Sequence, residues 1–295
     1  MPELYTLVVA LGPGELELTR LTDLLSSIAF HQREGCAGVV LVNDGNPAAS
    51  KGKGISFPAS IEVVQNPREG RGSGWAGGLL TGLLHGFRIA HAQFPASYVL
   101  KLDTDSLVIA PFHARILAAI EAAPRAGLVG SYLHPHQGDR QDIARYQAEK
   151  VRKLRAPVSL WRIPKPHLRF GWTARARQLN VYQARAREHR YVDGEFIEGG
   201  GYALTRGGLE GFERLGVFAD PRVFTDLAVG EDTICSMLVK AAGLDLVDLS
   251  GQGGVFCIEP RWLRHPPPEL ISQGWSIIHS VKDFGEAKES ETRAY

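Results

Sequence analysis

The chain has 295 residues, of which 44% are hydrophobic and 22% charged, and its formal net charge is +1. This length allows one large α/β domain or two small ones, and the near-neutral charge gives no general reason to expect a nucleic-acid partner. No apolar stretch reaches the roughly 20 residues needed to cross a bilayer, and no signal peptide is recognisable, so we expect a cytoplasmic protein. Cys36, Cys235 and Cys257 lie far apart without a C-x-x-C spacing, which predicts buried thiols and no disulfide framework or thiolate zinc site.

Short β-branched runs alternate with helical patterns, which predicts βαβ units and a largely parallel sheet. Leucine and isoleucine spacing indicates the helices, and apolar runs bounded by turn residues indicate the strands. In chain order the predicted elements are strand Leu4–Leu11, helix Leu16–His31, strands Gly38–Val42 and Ile61–Gln65, helix Leu79–Ala92, strand Tyr98–Leu102, helix Ala114–Ala122 and strand Leu128–Tyr132. The predicted fold class is therefore α/β, with a mostly parallel sheet flanked by helices.

Two carboxylates follow an apolar strand in the sequence YVLKLDTDSLVI. Asp103 and Asp105 are two positions apart, so on an extended chain they point the same way and can bind one hard cation or the hydroxyls of a sugar nucleotide. Asp-rich turns also close strands as solvated Asx-turns without any ligand. Both interpretations are open from these residues alone.

The charge distribution changes between Arg140 and Arg190, where there are 14 Lys or Arg and three Asp or Glu. One interpretation is a solvated helical surface whose arginines form surface ion pairs. The other is a lobe that attracts an anionic acceptor, a membrane surface or polyphosphate, with nucleic acid the least favoured partner. Aromatic residues in this region suit either stacking on sugar rings or anchoring of the lobe. They are Trp161, Phe170, Trp172, Tyr182 and Tyr191.

Further polar chemistry lies in the last third of the chain. Gly199 to Gly201 leave no side-chain wall, so a ligand can approach the backbone, although a plain bulge or turn uses glycine in the same way. Glu231 and Asp232 open an apolar-periodic helix as N-capping carboxylates, and a carboxylate held there can also accept a proton from a hydroxyl nucleophile. His279 is either a core histidine or a ligand that completes the site of the two aspartates.

Together these segments resemble the metal-dependent glycosyltransferases of the GT-A fold, and most closely the family 2 inverting enzymes. VNDGNP is similar to that family's V-D-D-G-S-T turn, with Asp44 at the aspartate that holds the nucleobase and Asn43 at the preceding aspartate. NPREGRGSGWAGGLLTGL is similar to the N-x-G-x-x-x-A-x-N-x-G segment, with Gly78 where asparagine is common. Asp103 and Asp105 match the D-x-D motif.

The resemblance implies a role for each matching residue. Glu231 and Asp232 match an E-D pair whose second carboxylate is the general base. His279 resembles the third ligand of a Mn²⁺ or Mg²⁺ ion held with Asp103 and Asp105. The donor-binding residues implied in this way are Leu11, Asp44, Arg71, Asp103, Thr104, Asp105, Gly199, Gly200 and Gly201. The implied reaction is a single transfer, with inversion, from a UDP- or GDP-sugar to a hydroxyl acceptor, since the Q-x-x-R-W signature of processive synthases is absent.

We expect a nucleotide-sugar half (1–136), a basic insertion that holds the acceptor (137–192) and a half that completes the same domain (193–295). The basic insertion suggests an anionic or membrane-proximal acceptor, and a location in the cytoplasm or at the inner face of the membrane. Two other functional classes are less favoured. A sugar nucleotidyltransferase needs a basic, Gly-rich phosphate loop after the first strand, where Gly12 to Glu15 supply an acid instead. A non-catalytic polyanion-binding module needs no set of carboxylates, whereas this chain has every carboxylate to which the resemblance gives a role.

Overall fold

The computed structural model of the chain describes residues 4–49, 55–133, 178–251, 253–259, 263–282 and 288–293. Its strands are β1 Tyr5–Leu11, β2 Cys36–Asn43, β3 Ile61–Gln65, β4 Tyr98–Asp103, β5 Leu107–Val108, β6 Ala126–Gly130, β7 Gly201–Thr205, β8 Asp245–Asp248, β9 Phe256–Ile258 and β10 Ile277–His279. Its helices are α1 Glu15–His31, α2 Gly77–Gln93, α3 His113–Ala122, α4 at residues 178–188, α5 Arg206–Arg214, a 3₁₀ helix Pro221–Phe224, α6 Glu231–Ala241, α7 Pro267–Ser272 and α8 Glu289–Arg293. Each predicted element coincides with an observed one, although the strand predicted at Leu128–Tyr132 starts and ends earlier, as β6.

Within the described residues, the main sheet has seven strands in the order β3-β2-β1-β4-β7-β6-β8. Neighbouring strands are parallel except at β7, which runs antiparallel to both β4 and β6. Helix α1 connects β1 to β2, and α2 connects β3 to β4, because parallel strands need such crossovers. The prediction of an α/β fold with a mixed, mostly parallel sheet flanked by helices is confirmed.

Alternate residues of the central strands face opposite layers of the structure. In β1, Val8 belongs to the core layer that contains Leu84 and Phe87 of α2, whereas Leu7 and Val9 belong to the layer that contains α1. These side chains are fully buried. Both faces of the sheet are therefore covered, which accounts for the nearly continuous apolar runs of its parallel strands.

In the part of the chain that the structure describes, a second sheet has three strands in the order β5-β10-β9. Strand β10 is antiparallel to β5 and parallel to β9. Strand β5 begins at Leu107, shortly after β4 ends at Asp103, so the turn that carries the two aspartates joins the two sheets. Strand β10 ends at His279, which brings this residue to the same turn.

The described end of the predicted basic insertion packs on the main domain. Tyr182 of α4 and Tyr191 after it are buried in the core layer that contains α2, so these two aromatic residues anchor the segment. Arg185 and Arg187 lie on the exposed side of α4. The rest of the predicted acceptor lobe, with its other aromatic residues, falls at positions 137–177 and lies outside the described residues.

None of the described helices combines the length and the apolar character that a membrane span requires. Cys235 and Cys257 are buried, Cys36 is half-buried, and all three are free thiols. The prediction of buried thiols therefore holds for Cys235 and Cys257 and not for Cys36.

Candidate active site

A cleft of about 330 Å³ lies at the carboxyl edge of the main sheet, where open α/β sheets bind ligands. Leu11 and Asp44 border it where β1 and β2 end, and Asp103, Thr104 and Asp105 border it where β4 ends. The other predicted site residues that border the cleft are Gly199, Gly200 and Glu231. Those that do not are Arg71, Gly201, Asp232 and His279.

Asp103, Asp105 and His279 form a cluster whose ligand atoms all lie within 4.8 Å of one another. His279 Nε2 is 3.3 Å from Asp105 Oδ1 and 3.7 Å from Asp103 Oδ2. Carboxylate oxygens and an imidazole nitrogen that converge in this way can bind a divalent cation. The fold thus brings together the three predicted metal ligands, two from the end of β4 and the turn after it and one from the end of β10.

The ring of His279 is oriented by a backbone contact. Its Nδ1 lies 3.0 Å from the carbonyl oxygen of Glu259, which can only accept, so Nδ1 carries a proton and Nε2 faces the carboxylates. Burial lowers the pKa of His279, but Asp105 and then Asp103 outweigh burial and raise the pKa above its ordinary value. The two carboxylates that face Nε2 favour a proton on that nitrogen, and for the same electrostatic reason they favour a metal cation beside it.

Asp105 is buried and has further partners on its second oxygen. Lys282 Nζ is 2.6 Å from Asp105 Oδ2, and Ser280 Oγ donates to the same oxygen at 3.1 Å. Burial raises the pKa of Asp105, but His279 and then Lys282 outweigh burial and hold its pKa well below the ordinary range. Asp105 is therefore ionised, as a metal ligand must be.

Lys101, which the sequence pattern did not single out, is completely buried at the centre of the site. Its Nζ is 2.6 Å from Asp103 Oδ1 and 3.2 Å from Glu231 Oε1, and it also donates to the carbonyl of Gly199. Burial lowers the pKa of Lys101, but Asp103 and then Glu231 outweigh burial, so its pKa is raised. One ammonium group therefore joins a candidate metal ligand on β4 to the first residue of α6.

The acidic pair at the start of α6 has one buried and one partly exposed member. Glu231 is buried, and burial, opposed by Lys101, raises its pKa to about 7. Asp232 is partly exposed, and its Oδ1 accepts hydrogen bonds from the backbone N–H and the hydroxyl of Thr233 at 2.5 and 3.0 Å. The prediction that these carboxylates are N-caps was wrong in position, because Gly230 is the N-cap and both acids lie in the first turn. They still face the positive end of the helix dipole.

The glycine segment before β7 allows close packing of the site's own side chains. A Cβ atom on Gly200 would clash with the ring of His279, and one on Gly199 would lie 2.6 Å from Glu231 Oε1. The carbonyl of Gly200 accepts a hydrogen bond from the N–H of Asp103 at 3.1 Å. The absence of a side chain therefore lets His279 pack against Gly200 and Glu231 pack against Gly199.

Asp44 is bound by Arg68 through two donors, with Nε 2.7 Å from Oδ1 and Nη2 2.6 Å from Oδ2. Arg68 Nη1 donates to the carbonyls of Arg71 and Gly72 at 2.8 and 3.0 Å. The arginine of this loop that reaches Asp44 is therefore Arg68, whereas the side chain of the predicted Arg71 points elsewhere, towards the Arg68 carbonyl. Asn43 is buried and shapes the turn through side-chain hydrogen bonds to the backbone three residues later.

Thr104, which lies between the two aspartates, is tied to both α1 and α8. Its hydroxyl donates to Glu17 of α1, and its carbonyl lies 3.4 Å from Arg293 Nη2. Arg20 binds Glu289 through two donors at 2.7 and 2.6 Å, so α8 is held against α1. The hydrogen bonds of Thr104, supported by the Arg20–Glu289 ion pair, position the turn that carries the candidate metal ligands.

No protein-family profile matches the chain, and no curated protein matches it. Among solved structures, the galactosyltransferase LgtC in complex with donor and acceptor sugar analogues is 11% identical, with 98% of this chain and 95% of that chain covered at a TM-score of 0.49. Mouse xyloside xylosyltransferase 1 is 11% identical, with 96% of each chain covered at a TM-score of 0.47. The mannosyltransferase PcManGT from Pyrobaculum calidifontis, in complex with GDP-Man and Mn²⁺, is 16% identical, with 97% of this chain and 60% of that chain covered at a TM-score of 0.45. Likenesses at this level assign neither a family nor an activity.

Proposed function

We propose that the chain is a metal-dependent glycosyltransferase of the GT-A fold that moves one sugar from a UDP- or GDP-sugar to a hydroxyl acceptor. The observation that carries the proposal is the convergence of Asp103, Asp105 and His279 beside a cleft at the carboxyl edge of the sheet. Asp44 borders the same cleft at the end of β2, two strands from the aspartates of β4. An extended sugar nucleotide can therefore contact both ends of the cleft.

The residues of the cluster fit a divalent cation. Asp105 is ionised, and the ring of His279 is fixed with Nε2 towards the two carboxylates. A set of two carboxylates and one imidazole suits Mn²⁺ better than Mg²⁺, because Mg²⁺ prefers oxygen ligands and water. An ion held by Asp103, Asp105 and His279 would neutralise the diphosphate of the donor and stabilise it as a leaving group.

Asp232 is the general base in this proposal, and transfer occurs with inversion at the sugar. Its carboxylate is partly exposed and fixed in direction by Thr233, whereas Glu231 is buried against Lys101. A positioned base typically contributes about 10²- to 10⁴-fold to the rate. Glu231 would then act indirectly, by holding Lys101 and the start of α6 in place.

The first test is metal-dependent nucleotide binding. We expect UDP or GDP to stabilise the chain in the presence of Mn²⁺ and not in the presence of a chelator, by about 2.7 kcal/mol when the ligand is at 100 times its Kd. Asp105→Asn should weaken the metal dependence, because it replaces one of three converging ligands by a neutral amide. Glu62→Gln, which changes an exposed carboxylate on β3, is the matched control and should bind as the wild type does. Calorimetry and thermal unfolding measure both effects, and the proposal fails if neither nucleotide gives a metal-dependent signal.

The acceptor is proposed to be anionic or membrane-proximal and to bind through the basic segment, at the cytoplasmic face of the membrane or in the cytoplasm. The support is the excess of Lys and Arg in the sequence between Arg140 and Arg190, of which Arg185 and Arg187 are exposed on α4.

We therefore expect the acceptor KM to rise with salt while the donor Kd changes little, because exposed charges are screened beyond about 8 Å at physiological ionic strength. The double variant Arg185→Gln and Arg187→Gln should show a higher KM and a weaker salt dependence than the wild type. Arg125→Gln with Arg222→Gln, two exposed arginines elsewhere, is the control. An acceptor KM that is flat with salt and equal in all three proteins would identify the basic segment as a solvated surface.

A further inference from the structure

Trp75 is exposed within the cleft. Its side chain is 64% exposed, and it is the only aromatic residue among the described residues that border the cleft. The other exposed large apolar residues of the described chain lie outside the cleft, and they are Leu16, Phe30, Val181, Val192 and Ile271. Isolated exposed apolar side chains are common on protein surfaces, so exposure alone assigns no role to Trp75. A role for Trp75 is supported instead by the residues that surround it in the cleft.

The loop that leads to Trp75 is constrained by hydrogen bonds and close packing. Arg68 Nη1 donates to the carbonyls of Arg71 and Gly72, and these bonds hold the loop over the Asp44 end of the cleft. Gly72 has a φ of 68°, and a Cβ atom there would clash with the carbonyl of Thr225, so only glycine lets the loop pack this closely. The exposed indole thus follows a constrained loop segment, and such constraint lowers the entropy lost when a ligand binds.

The backbone next to Trp75 lies near the Asp44 end of the cleft, because a Cβ atom on the preceding Gly74 would lie 3.8 Å from Arg68 Nη2, which binds Asp44. Asp44 follows β2 and Asn66 follows β3, and both border the cleft together with Trp75. The aspartates of the metal cluster follow β4, which is separated from β2 by β1, so two strand spacings, about 10 Å, lie between the two ends. A nucleoside diphosphate whose phosphates lie at the end of β4 therefore has its base over β2 and β3.

We propose that Trp75 is the stacking platform for the nucleobase of a nucleoside diphosphate. This inference rests on the proposed function and adds to it the residue that binds the base. The flat face of an aromatic side chain stacks on any nucleobase, so the platform contributes affinity without selecting the base. The choice between uracil and guanine is then made by polar groups around the platform.

The test compares UDP and GDP with inorganic pyrophosphate, which has no base, by calorimetry in the presence of Mn²⁺. Trp75→Leu should raise the Kd of UDP and GDP by about 5- to 150-fold, which corresponds to the stacking of one base on one aromatic ring, and should leave the Kd of pyrophosphate within about twofold. Trp75→Phe keeps an aromatic face and should stay closer to the wild type. Phe30→Leu changes an equally exposed aromatic residue outside the cleft and should alter neither Kd.

A second measurement uses tryptophan fluorescence. Titration with UDP should quench the emission of the wild type, and Trp75→Phe should lose that quenching although it still binds UDP. An unchanged Kd for UDP and GDP in Trp75→Leu would overturn the platform and leave the proposed function standing. An equal loss of pyrophosphate affinity would also overturn it, because the substitution would then act through the loop. If the wild type bound neither nucleotide with Mn²⁺, both the platform and the proposed function would be wrong.

Discussion

Lys101→Met is expected to lower the free energy of unfolding by about 3 to 5 kcal/mol, because it leaves the buried carboxylate of Glu231 without its counter-ion. The ammonium group of Lys101 is fully buried, 3.2 Å from Glu231 and 2.6 Å from Asp103. Methionine is an adaptable side chain of similar length, so the substitution removes the charge and the donors with little change in packing. Denaturant unfolding measures the loss.

The lysine of a more exposed ion pair provides the matched control. Lys240 pairs with Asp245 at 3.2 Å, and Lys240→Met should cost no more than about 1 kcal/mol. A double-mutant cycle between Lys101→Met and Glu231→Gln should give a coupling of about 0.5 to 3 kcal/mol, because the two groups are in contact. A loss for Lys101→Met no greater than that of the control would show that the buried cluster is not held together by this lysine.

Asp232→Asn is expected to lower turnover by about 10²- to 10⁴-fold and to leave the donor Kd within a few-fold of the wild type. The amide of asparagine keeps an oxygen that can accept the hydrogen bonds from Thr233, so the start of α6 should retain its geometry. On the proposed mechanism, the substitution removes the group that takes a proton from the acceptor hydroxyl. Single-turnover transfer measured beside donor calorimetry separates the two effects.

Two comparisons make this result specific to Asp232. Asp226→Asn changes an exposed carboxylate nearby in the chain and should leave turnover unchanged. Glu231→Gln should reduce the free energy of unfolding as well as turnover, because Glu231 is buried against Lys101. Near-normal turnover in Asp232→Asn would assign the base to another carboxylate, with Glu231 and Glu198, the residue directly before the three glycines, the next candidates.

The long elements of the fold could be predicted because their apolar patterns extend over enough residues to show a period. Strands β9 and β10 have three residues each, and no period can be recognised over that length. Strand β7 begins with Gly201, and glycine disfavours strands, so its segment suggested a turn. Its antiparallel direction depends on pairing with β4 and β6, which are distant in sequence.

The candidate site was predictable to the extent that its residues follow strands. Asp103 ends a strand that the pattern identifies, and Asp105 lies in the turn after it. The residues alone left His279 open as a core histidine or a metal ligand, and the choice of a ligand followed from the resemblance. Lys101 had a signal of its own, because it is the charged residue within the apolar run Tyr98–Leu102 and lies two positions before Asp103, on the same face. A charge inside a buried strand needs a partner. The choice of Arg68 over Arg71 as the partner of Asp44 depends on the path of the loop, which local pattern does not determine.

The candidate metal cluster of Asp103, Asp105 and His279 joins the main sheet to the three-stranded sheet, and this has a consequence for the order of folding. The contact of Asp105 with Ser280 spans 175 positions, and a contact of that separation forms only after a large loss of chain entropy. The early βα units can form from closer contacts, so the cluster should be completed after the folding barrier. A bound cation would then slow unfolding and leave the folding rate nearly unchanged. In a chevron plot, a chelator should therefore raise the unfolding limb and leave the folding limb in place.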